Sequence, residues 1–106
     1  MKEPKKLLTT KDRKEMWKEA KLMLTKVDKA LGISEAYIVG SFASNKKRPA
    51  DIDFAIVTKV KKKSSAWPID FLILPESGEN TKVYLNDMKK WMKKRYGERV
   101  DIVKLK

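Results

Sequence analysis

Between Thr10 and Gly32, apolar residues return every three or four positions: Met16, Ala20, Met23, Val27 and Leu31, widened by Trp17 and Leu24. That spacing predicts a helix with one buried face. Asp12 and Glu15 have capping-box spacing near its start, and Gly32 stands where a glycine commonly ends a helix. Lys14, Lys18, Lys21 and Lys29 fall on the opposite face. An amphipathic helix packed on a sheet, with its lysines in water, accounts for them more simply than a dedicated nucleic-acid helix.

Shorter apolar runs follow. Residues 36–39 read as a strand that Gly40-Ser41 ends, and Ser41 to Asn45 fits a short helix or helical turn. Lys46-Lys47-Arg48-Pro49 is a basic loop, in which proline favours an extended residue before it. A second strand covers residues 51–58, with Asp51, Asp53, Ala55 and Val57 on one face and Ile52, Phe54 and Ile56 on the other. Both faces turn apolar beyond the aspartates, which marks a strand covered on both sides with its polar end at a cleft. After the charged turn KVKKKSS, the run from Trp67 to Leu74 fits a strand antiparallel to the second, ended by Pro75-Glu76-Ser77-Gly78. Leu85, Met88, Trp91 and Met92 share a face of a further helix over about residues 83–96, with Tyr96 at its edge. The start of that helix is open, because Lys82 to Leu85 also fits a short strand with Asn86 as the N-cap. Lys89, Lys90, Lys93, Lys94 and Arg95 gather at its C-terminal end, where the helix dipole favours cations. Gly97 ends it, and Val100 to Val103 forms a last strand.

These elements give an α+β class: one domain over residues 1–106, with a mixed sheet of about four strands packed against two to three helices. The first eight residues are expected to form a flexible basic arm.

Composition narrows the chemistry. A chain of 106 residues suits one domain and not two. It has no run of eighteen apolar residues, and no apolar stretch suited to a signal peptide follows MKEPKKLL, so a cytoplasmic location is expected. There is no cysteine for disulfides or thiolate metal sites, and no histidine for the usual zinc sites or for imidazole general base catalysis. Catalysis would therefore fall to carboxylates, lysines, hydroxyls and metal. The net charge of +12 and pI near 9.9 point to an anionic partner such as nucleic acid, nucleotide or an acidic protein. The same lysine-rich, glutamine-free composition also fits a thermophile protein.

The stretch from Ala36 to Thr58, AYIVGSFASNKKRPADIDFAIVT, joins these constraints. Asp51 and Asp53 lie on one strand face with α-carbons roughly 7 Å apart. Two carboxylates so placed can share Mg²⁺, which takes oxygen ligands and usually keeps one or two carboxylates plus substrate phosphates. Gly40 lets backbone come close to a ligand, and Ser41 can cap a turn whose N–H groups attract phosphate. Lys46, Lys47 and Arg48 stand between the two halves, able to meet a triphosphate or a nucleic-acid backbone, and a solvated loop fits them equally.

This ordered set, strand, Gly40-Ser41, loop, Asp51-x-Asp53, strand, resembles the signature of the nucleotidyltransferase superfamily of the DNA polymerase beta type. The nearest likeness is to the minimal, single-domain members of archaea and bacteria. The C-terminal pattern extends it: helix, Gly97, then Val100-Asp101-Ile102-Val103, similar to the strand that carries a third acid in those enzymes. On that likeness Asp101 is preferred over Asp70 as the third carboxylate. The sequence departs at Ser44, where many such proteins carry arginine, and at Ala50, where many carry serine.

The resemblance implies nucleotidyl transfer from a nucleoside triphosphate, with Asp51, Asp53 and Asp101 holding one or two Mg²⁺ ions. Asp101 would also activate the attacking hydroxyl, and Gly40 and Ser41 would steady the β- and γ-phosphates. It further implies a homodimer and a small all-helical partner protein, as in the antitoxin half of a toxin–antitoxin pair. The acceptor, a hydroxyl of protein or nucleic acid, is not readable. The alternative is a non-catalytic basic domain of the same fold that binds nucleic acid or a protein partner.

Overall fold

The computed structural model describes residues 1–58, 64–66, 69–75 and 79–106. Of the expected charged turn from Lys59 to Ser65, residues 59–63 lie outside the described residues and Ser64-Ser65 belong to a strand; Trp67 and Pro68 of the expected next strand and the Glu76-Ser77-Gly78 turn also lie outside them.

Helix α1 spans Lys11–Leu31. Its N-cap is Thr10, whose hydroxyl accepts the Arg13 N–H at 3.2 Å. Asp12, expected to cap, already lies inside the helix. Gly32 ends α1 at φ +69°, and its N–H donates to the Asp28 carbonyl. The most deeply buried line of the helix is Arg13, Trp17, Ala20 and Leu24. Met16, Met23, Val27 and Leu31 flank it, half-buried against the core. Removing the Leu24 side chain to alanine would cost about 2–5 kcal/mol.

Strands β1 (Glu35–Val39), β2 (Ile52–Thr58), β3 (Ser64–Ala66), β4 (Ile69–Pro75) and β5 (Val103–Lys104) form one sheet in the order β3-β4-β2-β1-β5. The α+β class holds, with five strands in place of about four. β2 is central, and every residue of it except Asp53 is buried, so both its faces are covered. β1 runs antiparallel to β2, with Val39 opposite Asp53.

The expectation for the Trp67–Leu74 run needs correction. β4 lies parallel to β2, not antiparallel. The reason is β3, which takes the outer edge antiparallel to β4 and so turns the chain once before β4 begins. Three small residues, Ser-Ser-Ala, give no apolar signal for that strand.

Helix α2 spans Glu79–Tyr96, so Lys82 to Leu85 is helical and the helix starts four residues earlier than expected. Met92 is wholly buried, with Tyr84, Leu85, Met88 and Tyr96 packed on the core around it. Trp91 is instead 48% exposed. Adjacent helical positions differ by about 100°, so Met92 and Trp91 cannot both face the core squarely. The last strand is shorter than expected: β5 pairs with β1 only through Val103 and Lys104, and Asp101 precedes it.

The first eight residues are not a loose arm. Lys5–Leu7 form a 3₁₀ turn, Pro4 is buried, and Leu7 and Leu8 pack on the core. The Lys2 N–H donates to the Leu105 carbonyl at 2.9 Å. Among the described residues no helix is long and apolar enough to cross a membrane.

Candidate functional site

The Gly40 half and the Asp53 half of the motif meet. β1 ends at Val39, opposite Asp53, and the chain then turns through a 3₁₀ helix at Gly40–Ala43. Gly40 has φ +75°, a left-handed conformation that side chains disfavour. A Cβ on it would lie 2.9 Å from Asp53 Oδ2. The glycine is thus required twice, for its backbone angle and for the carboxylate that fills the space beside it.

Helix α2 closes this corner. The Gly40 N–H donates to Met92 Sδ at 3.4 Å. Tyr84, two turns earlier on the same helix, is half-buried. Burial, and secondarily the negative charge of Asp53, raise its phenol pKa above the usual value. It therefore stays a neutral O–H beside the aspartate at neutral pH.

The turn after Gly40 is held from α1. Arg13 is 1% exposed, and its guanidinium donates five hydrogen bonds to the carbonyls of Leu7, Phe42, Ser44 and Lys46. It also sits over the Phe42 ring, 4.8 Å from the centroid. Desolvation lowers its pKa. Carbonyl dipoles offset that cost, and no ion pair among the described residues includes Arg13. Ser44 tightens the same turn: its hydroxyl donates to the Ser41 carbonyl and accepts from the Lys46 N–H.

The remaining expected residues are less gathered. Asp51 is half-buried and stands just before β2. Ser41 is half-buried, its carbonyl taken up by Ser44. Lys46, Lys47 and Arg48 are exposed. Arg48 leans toward α1, 3.7 Å from Asp12, and lines a cleft of about 300 Å³ with Asp12, Glu15 and Glu19. Asp101 is exposed, and its Oδ1 accepts from the Ile102 N–H at 2.7 Å. It adjoins β5, two strands from β2. Asp70 occupies the register position beside Asp53 on the parallel neighbour β4. Among the described residues no group of three acids is placed to hold a metal ion.

Sequence reasoning missed Arg13, Tyr84 and Met92 as site-builders. Arg13 stands one turn before Trp17, on the line of Ala20 and Leu24, a position on an apolar stripe where a solvated arginine would not belong. Tyr84 and Met92 are eight residues apart and so share a helix face.

A family model matches residues 4–106, and the chain belongs to that family, described as a family of unknown function, DUF6932. No curated protein matches the chain, and no solved structure does.

Proposed function

We propose that the chain binds a nucleoside triphosphate with Mg²⁺ at the Gly40–Asp53 corner and transfers its nucleotidyl group to a hydroxyl. One observation carries this: a positive-φ glycine whose missing side chain is replaced by the carboxylate of Asp53. That apposition pins a hard oxygen donor for a cation where the Gly40 turn begins.

Asp51 and Asp53 suit Mg²⁺ by donor type, one carboxylate just before β2 and one at its second residue. When bound, the ion would neutralise phosphate charge and orient the triphosphate. A third acid is needed, and the parallel register favours Asp70 over Asp101, because Asp70 is one strand from Asp53 and Asp101 two. In the transfer, the acceptor oxygen bonds to the α-phosphorus and gives its proton to the third carboxylate. The bond from that phosphorus to the α–β bridging oxygen breaks, and pyrophosphate leaves with the electron pair. Tyr84, kept neutral by burial and by the charge of Asp53, adds no competing negative charge at this corner. Positioning and charge neutralisation supply the catalysis.

Calorimetric titration of ATP with and without Mg²⁺ tests this on the natural chain, Asp53→Asn, Asp70→Asn and Asp101→Asn. Metal-dependent binding that Asp53→Asn abolishes, Asp70→Asn weakens and Asp101→Asn leaves alone is the expected result. Binding indifferent to metal and to Asp53 would mean that lysines merely attract phosphate.

A further inference from the structure

Helix α2 carries a surface that the nucleotide site does not use. Along its outer side the exposed residues are Val83, Asn86, Asp87, Lys90, Trp91, Lys94 and Arg95. Trp91 is among the few large apolar side chains of the described residues that water reaches, at 48%. Cations surround it. Lys94 and Arg95 stand on its side of the helix, Lys90 is next to them on the exposed side, and Arg99 follows just beyond the helix. None of the three ion pairs among the described residues uses a cation of α2, so this charge is not neutralised internally.

The aromatic ring is braced. Trp91 meets Tyr96 edge-on at 5.9 Å between centroids, and the Arg95 guanidinium lies 5.8 Å from the Trp91 ring and 5.7 Å from the Tyr96 ring. Edge-on contact braces the ring without parallel stacking, and the Arg95 guanidinium lies over the ring. A helix that needed Trp91 for its own packing would bury it, as it buries the neighbouring Met92.

We propose that this face of α2 binds single-stranded nucleic acid, with a base stacked on Trp91 and phosphates held by Lys90, Lys94 and Arg95. A braced, exposed aromatic ring amid unpaired cations is the combination such strands need: bases supply the stacking face, and the backbone supplies spaced negative charge. An acidic protein would match the cations but offers no set of π-faces to the ring. A duplex would match the cations too, but keeps its bases stacked inside. Trp91, seven residues from Tyr84, stands at the edge of the Tyr84–Met92 side with Lys90 and Lys94 turned further outward, and strand binding does not depend on the nucleotide site being active.

Fluorescence anisotropy on the full chain tests it, using end-labelled twelve-nucleotide RNA, DNA of the same sequence, and the corresponding duplex. Both single strands, or one of them, should bind at least several-fold tighter than duplex at equal salt, and the tighter of the two identifies the sugar. Trp91→Ala should weaken strand binding roughly tenfold, while Trp91→Phe retains most of it. Replacing Lys90, Lys94 and Arg95 by glutamine should flatten the logarithmic salt dependence by about 2. Equal binding of duplex, or strand binding untouched by Trp91→Ala, would overturn the proposal and leave only diffuse charge. Failure to bind any oligonucleotide would overturn it as well. Magnesium-dependent ATP binding, measured on the same Trp91→Ala protein, should be unchanged. Loss of strand binding alone is thereby distinguished from failure of the nucleotide site, which Asp53→Asn reports.

Discussion

Arg13 and Arg48 bring the same group to the same loop from opposite directions, into opposite surroundings. Arg13 is buried, with five hydrogen bonds to carbonyls of the N-terminal turn and of residues 42–46. Arg48 has a side chain 89% exposed and one loose ion pair, at 3.7 Å, with an Asp12 that is itself 58% exposed. In the sequence Arg48 is conspicuous, the end of a basic run between glycine and aspartate. Arg13 is one cation among many on a lysine-rich helix. Yet Arg13 shapes the turn that Gly40 opens, and Arg48 hangs beside it. Charge clustered in sequence marks what water can reach, whereas a lone charge on an apolar stripe marks what the fold is built around.

The largest effect should come from Arg13→Ala. It leaves buried carbonyls without donors at about 1–3 kcal/mol each, so the loss should be at least about 3 kcal/mol. Urea unfolding measures it. Arg13→Lys should recover only part, because an ammonium cannot reach four separate carbonyls with a planar fork. A loss under 1 kcal/mol for Arg13→Ala would erase the contrast with Arg48.

Two glycines sharpen the contrast next. Gly32 and Gly40 both have positive φ, +69° and +75°, but a Cβ at Gly32 meets nothing within 4 Å and one at Gly40 strikes Asp53. Gly32→Ala should cost about 1–2 kcal/mol, the left-handed penalty alone. Gly40→Ala should add about 1–3 kcal/mol for the crowding and should also lower the affinity for Mg²⁺ and ATP, since Asp53 must move. Equal costs for the two would show that Asp53 is free to swing aside.

Much of this was legible in the residues. The helical stripe, the first two strands and the Gly40–Asp53 meeting follow from periodicity and from the order of the motif. The direction of β4 did not, because an apolar run carries no arrow and its reversal rests on Ser64-Ser65-Ala66. Local likeness at the chain's end points to Asp101, whereas the register of β4 on β2, a long-range property, puts Asp70 at the position beside Asp53. Trp91 is aromatic and spaced like core, so the pattern alone assigns it there. Only packing decides between it and its neighbour Met92.

The smallest effect, and the most direct check on the comparison, belongs to Arg48→Ala. An exposed ion pair contributes about 0–1 kcal/mol, less in salt, so unfolding midpoints of Arg48→Ala and the natural chain should nearly coincide at 0.15 M salt. At low salt a gap of a few tenths of a kcal/mol should open, because screening no longer weakens the attraction to Asp12. Asp12→Asn should reproduce that small gap, and the double variant should add nothing further, as a two-member pair requires. A larger loss would mean that Arg48 reaches beyond Asp12 to Glu15 and Glu19 across the cleft they share. The loop would then be held from both sides rather than by Arg13 alone.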